Sequence, residues 1–121
     1  MTAIDVEPRV RAVLETLTDA DLFADPFLFA DATGARRVSR AAFLASLPRR
    51  ARMFADAGVG SAELTTATQH RLDEQYLLVH TTWSAPSRTG GDPAVLASSY
   101  LLRHTGEAIE VVAYLNHRSL A

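Results

Sequence analysis

From Ser61 to the end of the chain the pattern changes from a helical period to a period of two, in four successive runs of strand character. Nothing else in the sequence restricts the fold as strongly. A period of two belongs to strands that bury one face, and four such strands joined by turns make an antiparallel meander. The runs cover residues 62–72, 76–84, 94–104 and 108–116. Asp73-Glu74 supplies a tight turn, residues 85–93 with Pro86, Gly90, Gly91 and Pro93 supply a loop, and Thr105-Gly106 turns the chain into its last strand. In a curved sheet that closing strand lies near the middle of the concave wall.

Before Ser61 the period is helical. Val6, Val10, Val13, Leu14 and Leu17 predict an amphipathic helix over 5–17, with Asp5 as N-cap and Pro8 in the first turn. Residues 18–23 predict a cap and one helical turn, stopped at Asp25-Pro26 because the residue before proline is pushed out of the helical region. Phe27-Leu28-Phe29-Ala30-Asp31 has strand propensity, and Ala32-Thr33-Gly34 turns it back into Arg36-Arg37-Val38. Ser39 caps a second helix with Phe43, Leu44, Leu47, Met53 and Phe54 as apolar positions. Pro48 predicts a kink there or two shorter helices, and glycine at residues 57–60 ends the segment. Helices followed by a meander predict an α+β chain of one domain over 1–121, with helices packed on one sheet face.

Apolar residues make up 48% and charged residues 21%, which suits a globular core. A formal net charge of -2 gives no reason to expect nucleic acid or an anionic membrane as partner. Arg36-Arg37 and Arg49-Arg50-Arg52 are too small as basic clusters to change that, and the latter is assigned to a solvated helix face. No cysteine is present, so disulfides and thiolate metal sites are excluded. Residues 1–20 hold no signal-like apolar core, and no apolar run approaches the roughly 18–20 residues of a membrane span. A cytoplasmic location is expected. His70, His80, His104 and His117 share no ligand spacing, so no metal is expected, and no cofactor.

Parity then assigns the faces. Leu77, Val79, Thr81 and Trp83 share one face of their strand, opposite Leu78, His80 and Thr82. On the next strand Leu96, Ser98, Tyr100 and Leu102 form a set. A two-residue turn at Thr105-Gly106 aligns that set with Ile109, Val111, Ala113 and Leu115, whereas a three-residue loop would exchange the pairing. The more apolar sets are expected inward. Leu78, Leu101, Val112 and Tyr114 then look outward, too apolar for a solvated surface, which predicts a homodimer through the outer sheet face. His80 is expected at that interface, and Asn116 and His117 outward.

The order of these elements resembles the nuclear-transport-factor-2-like (SnoaL-like) superfamily over nearly the whole chain. Asp31-Ala-Thr-Gly34 is similar to the Asp-Pro-x-Gly turn of ketosteroid isomerases, in which the aspartate is the catalytic base. Residues 106–120 align without a gap with the closing strand of those enzymes, Ala113-Tyr114 matching an Ala-Tyr pair and Leu115 a pocket tryptophan. The resemblance implies a cone-shaped sheet around the helices and a cavity for a small apolar or aromatic ligand. Its wall would come from Phe27, Phe29, Leu77, Val79, Thr81, Trp83, Ser98, Tyr100, Val111, Ala113 and Leu115. Asp31 is the one catalytic candidate, as general base of an isomerase, cyclase or hydrolase; otherwise it only accepts backbone N–H bonds in its turn. The isomerases also use a helix tyrosine and a protonated aspartate. Residues 5–17 hold no tyrosine, and the aspartate position falls at Ser98 or Ser99. Losing such donors costs roughly 10²–10³-fold each, which argues against ketosteroid isomerisation. A non-catalytic ligand-binding or dimerisation module is the alternative.

Overall fold

The computed structural model describes residues 4–17, 20–106 and 108–118. The four runs of period two become β4 (Glu63–Arg71), β5 (Tyr76–Ala85), β6 (Ala94–Thr105) and β7 (Ala108–Arg118), paired antiparallel in chain order. The N-terminal half contributes β1 (Ile4–Asp5), α1 (Pro8–Glu15), a 3-10 turn (Ala20–Leu22), β2 (Phe23–Asp31), β3 (Gly34–Val38) and α2 (Arg40–Asp56). Together the strands form one seven-stranded sheet in the order β1-β4-β5-β6-β7-β2-β3. The sheet is mixed, because β1 runs parallel to β4 and β2 parallel to β7. β2 thereby pairs the free edge of the meander, whose N–H and C=O groups would otherwise be open. Register shifts interrupt the β2–β7, β4–β5 and β6–β7 ladders, and such bulges bend the strands into an open, curved cone.

The first helix is shorter than its sequence period. Asp5 does not cap it, because the Asp5 backbone is engaged in the ladder opposite Thr68. The chain enters α1 from Glu7 instead, whose N–H donates to Gln69 Oε1 at 2.8 Å while Gln69 Nε2 donates to Glu7 Oε2 at 2.8 Å. This reciprocal amide–carboxylate pair holds α1 to β4, and the Gln69 bond lowers the Glu7 pKa. Of the expected helical turn at 18–23, residues 18 and 19 lie outside the described residues. Ala20–Leu22 is 3-10, and Phe23 already belongs to β2. Pro26 does not end an element there. It sits inside β2, where the register to β7 is broken between Phe23 and Leu28 and no ladder donor is lost; the Asp25–Pro26 peptide is cis.

The break turns Phe23 and Phe27 into one cluster, ring centroids 4.7 Å apart, which Phe43 of α2 completes at 4.5 and 5.5 Å. Ser39 caps α2, its Oγ accepting the Ala42 N–H at 3.1 Å. Pro48 does not divide the helix. The Leu44 carbonyl that loses its donor belongs to an exposed residue, where the lost bond costs less than it would in a core. Gly58 closes the helix with φ 71°, and the Gly58 and Val59 N–H groups bond back to Ala55 and Phe54. Phe43 is the one buried side chain on α2 among the described residues; Leu44 and Met53 face outward.

The face assignment holds for β5 and β6. Leu77, Val79, Thr81, Ser98, Tyr100 and Leu102 are all buried on the face that meets the helices. It fails halfway along β7. Thr105 pairs with Ala108 and Leu102 with Val111, as a two-residue turn dictates, but Leu101 then pairs with Ala113 and Tyr100 with Tyr114. The extra residue, Val112, reverses the parity beyond it. Tyr114 therefore points inward, buried against Tyr100 at 5.0 Å and Phe29 at 5.4 Å, and Asn116 follows it to the inner face beside Ser98. Ala113 and Leu115 go to the outer face, paired with Leu101 and Ser99. Both were expected inward, and the bulge is the reason that they are not.

Candidate functional site

On the inner wall β5 and β6 place four polar groups in a row. Trp83 Nε1 donates to Thr81 Oγ1 at 2.8 Å, and Thr81 Oγ1 donates to the Ser98 carbonyl at 2.9 Å. Ser98 Oγ donates in turn to the Tyr100 hydroxyl at 2.9 Å. The register explains the cluster, since Thr81 lies opposite Ser98 and Val79 opposite Tyr100. Thr81, Ser98 and Tyr100 are buried, while Trp83 and Asn116 are half-buried. The hydroxyls bond to one another, which is what a buried polar group requires. The Trp83 N–H and the Ser98 hydroxyl each give a proton to the next oxygen of the row, whereas the Thr81 proton goes to the Ser98 carbonyl. Burial, and after it the adjacent Tyr114, pushes the Tyr100 phenol well above its usual range.

This shift has a stability consequence. Tyr100 holds its proton more tightly folded than unfolded, so its contribution is complete below the ordinary phenol value of about 10 and is lost as pH rises beyond it. Tyr100→Phe is expected to flatten the alkaline limb of a stability–pH curve. At neutral pH it should cost about 1–2 kcal/mol, because the Ser98 hydroxyl loses its acceptor. Denaturant titrations at pH 7 and pH 11 check both; equal alkaline limbs in the two proteins would show that Tyr100 does not carry the effect.

Phe27, Phe29, Leu77, Val79 and Val111 also lie on the inner side, but Phe27, Leu77, Val79 and Val111 are core residues without solvent access. Phe29 is half-buried, with the Arg36 guanidinium 4.7 Å above its ring. The structure thus brings Thr81, Trp83, Ser98 and Tyr100 together and adds Tyr114 and Asn116. It leaves Ala113 and Leu115 on the opposite side.

Asp31 ends β2. Its Oδ1 accepts the Thr33 N–H at 2.9 Å and the Thr33 hydroxyl at 2.6 Å, and Arg36 lies 3.9 Å from Oδ2. The Thr33 hydroxyl bond, with the backbone bond and Arg36 behind it, lowers the Asp31 pKa. The carboxylate is thereby committed to its turn and stays ionised. It nevertheless borders a shallow groove of about 250 Å³ lined by Ala30, Asp31, Ala32, Leu115, Asn116 and His117.

His117 also belongs to a cluster on the outer face. Ser99 Oγ lies 2.7 Å from His117 Nε2 and 2.5 Å from His80 Nδ1, with the two rings 5.4 Å apart. One hydroxyl donates to one imidazole and accepts from the other, so a single proton arrangement satisfies all three. Sequence reading missed this group, because its members come from three strands and meet only through the register. The alternation of His80 to the outer face was the signal available. Among the described residues, no group of three or more His, Cys, Asp or Glu side chains could hold a metal ion, and no helix is long and apolar enough to cross a membrane.

A curved sheet wrapped on two helices is the architecture of the NTF2-like, cystatin-like fold, and solved structures agree. An NTF2-like protein with a cystatin-like fold from Novosphingobium aromaticivorans superposes with a TM-score of 0.68 at 17% identity, covering 93% of this chain and 80% of that one. An NTF2-like protein of unknown function from Shewanella oneidensis gives 0.66 at 11% identity, over 89% and 95%. A hypothetical protein with a ketosteroid isomerase-like fold from Catenulispora acidiphila, solved with trimethylamine, gives 0.60 at 18% identity, over 95% and 88%. No family model matches the chain. No curated protein matches it by sequence.

Proposed function

We propose that this chain is a small-molecule-binding domain that holds an apolar or aromatic ligand against its inner wall. The observation that carries this reading is the row Trp83–Thr81–Ser98–Tyr100, a polar track in an apolar wall with Trp83 and Asn116 half-open above it. Pockets that orient small ligands combine an apolar lining with a few such convergent groups. The neighbour from Catenulispora acidiphila, solved with a small organic molecule, is consistent with it. Trp83 is the single tryptophan, so it reports occupancy directly. The neutral fluorophore N-phenylnaphthylamine is expected to bind saturably with energy transfer from Trp83, and Ser98→Leu is expected to weaken it. No saturable transfer in the wild-type protein would remove the reading.

A catalytic version, with Asp31 as general base of an isomerase, cyclase or hydrolase, is favoured only by the groove that Asp31 shares with His117. The bonds from Thr33 count against it, because they favour the ionised form and make the carboxylate a weaker base. Carbon-detected NMR titration of Asp31 is expected to give a midpoint below the ordinary value of about 3.9. A midpoint well above that value would return Asp31 to the role of base.

The outer sheet face supports a second element of the proposal, a homodimer. Leu28, Leu78 and Val95 are 41%, 39% and 45% exposed there, beside half-buried Leu101 and Leu115.

A further inference from the structure

Ser99 lies beneath two imidazoles on the outer sheet face, its hydroxyl 2.7 Å from His117 Nε2 and 2.5 Å from His80 Nδ1. Ser99 is buried, whereas both histidines are exposed. While the histidines are neutral, the hydroxyl donates to one ring and accepts from the other. One added proton fits this arrangement, because the ring that donates to Ser99 has a second nitrogen that takes no part in that bond. A second proton does not fit. Both rings would then donate to Ser99, its buried hydroxyl hydrogen would lose its acceptor, and two cations would stand with ring centroids 5.4 Å apart. The cluster therefore changes charge by one per chain.

The register joins this cluster to the apolar patch. His80, Ser99 and Leu115 form one rung across β5, β6 and β7, and Leu78, Leu101 and Ala113 form the next. Side chains two residues apart on a strand share a face, so an imidazolium here sits beside the leucines that a second copy would cover. Among the described residues, the nearest other ionisable groups on that face are His70, opposite Leu78 on β4, and Arg118, opposite Ala97. Asp31 shares the groove with His117, and Tyr76, Arg103 and Glu110 form the rung beyond Leu78. Arg37 lies across the face on β3, opposite Leu28. Of the carboxylates, Asp31 and Glu110 each already have an arginine, at 3.9 and 3.5 Å. Glu63 pairs with Ser84, four residues or roughly 13 Å along the strand from His80, where salt screens it.

We propose that the His80–Ser99–His117 cluster gates self-association through the outer sheet face, the dimer forming while the cluster is neutral and separating when acid charges it. The gate rests on the homodimer proposed above and adds its regulation. The sign follows from burial. Covering the face takes the imidazolium out of water, so the dimer binds fewer protons than two separate chains and is lost as pH falls.

Light scattering over a dilution series at about pH 7.5 and about pH 5.5, a span across which an imidazole changes charge, tests the gate. The wild-type dissociation constant is expected to rise roughly 100-fold between them, one proton entering each chain, with the circular dichroism spectrum unchanged. The double variant His80→Gln with His117→Gln offers Ser99 amides that cannot gain charge, and it is expected to stay dimeric at both pH values. His70→Gln is expected to respond as wild type does. Dilution of the wild-type dimer in weak buffer at about pH 6.5 is expected to take up protons, which tests the gate without any variant. A dimer equally tight at both pH values, or dilution without proton uptake, overturns the gate and leaves the dimer standing. Survival of the response in the double variant, its loss in His70→Gln, or unfolding at the lower pH overturns the gate as well. Wild-type protein that is monomeric at the higher pH removes dimer and gate together.

Discussion

Phe43→Ala is expected to destabilise the protein by about 3–5 kcal/mol, the usual cost of removing a buried phenylalanine. The reasoning is local. Phe43 is the only buried side chain on a helix of 17 residues, and its ring sits 4.5 Å from Phe23 and 5.5 Å from Phe27. The helix presents few other apolar atoms to collapse into the space, so the cavity would persist. A domain of this size has about 5–15 kcal/mol in total, so the change would consume much of its stability. Leu44→Ala, one residue along on the exposed side, is expected to stay within about 0.5 kcal/mol. Guanidinium unfolding followed by circular dichroism measures both. A loss under about 1 kcal/mol for Phe43→Ala would mean that α2 is anchored by something else.

The second large effect concerns association. Leu78→Glu is expected to turn a dimer into a monomer, weakening self-association by about 100-fold or more. Leu78 lies on the outer face directly opposite Leu101 in the β5–β6 ladder, and in the proposed dimer a two-fold axis through that face would bring apolar surface onto apolar surface. A carboxylate there would be desolvated without a partner. The side chain is exposed in the single chain, so the fold itself should tolerate the change. Light scattering across a dilution series separates the outcomes. Wild-type protein that is monomeric throughout would sink the dimer; an unchanged dimer in Leu78→Glu would move the interface elsewhere.

What the sequence made legible was mostly local. The period of two marked β4 to β7, Ser39 marked the start of α2, and glycine marked its end, because caps and alternation act over a few residues. The inner sets of β5 and β6 followed from the same alternation. Asp31 sits where a turn was read, and its bonds to Thr33 are the short-range chemistry that an aspartate two residues ahead of a threonine favours. The failures were non-local. Pro26 looked like a stop because the β2 irregularity that accommodates it depends on β7. His80, Ser99 and His117 could not be joined without knowing the register of three strands. Tyr114 was turned the wrong way by a single residue, since parity counting assumes an unbroken ladder and Val111-Val112 offers two apolar neighbours with no sign of which is supernumerary.

That residue makes the closing strand a text in two reading frames spliced at Val112. Up to Val111 the odd positions are inner, and after it the even ones are. Deleting Val112 would remove the bulge and leave Tyr114 and Asn116 inward, because the ladder beyond it already pairs Tyr114 with Tyr100 and Asn116 with Ser98. Keeping Val112 but closing the bulge would instead slide the rest of β7 by one residue and turn Ala113 and Leu115 inward. One supernumerary residue is thus what sets an aromatic, amide-bearing wall where an unbroken strand of the same composition would set an aliphatic one.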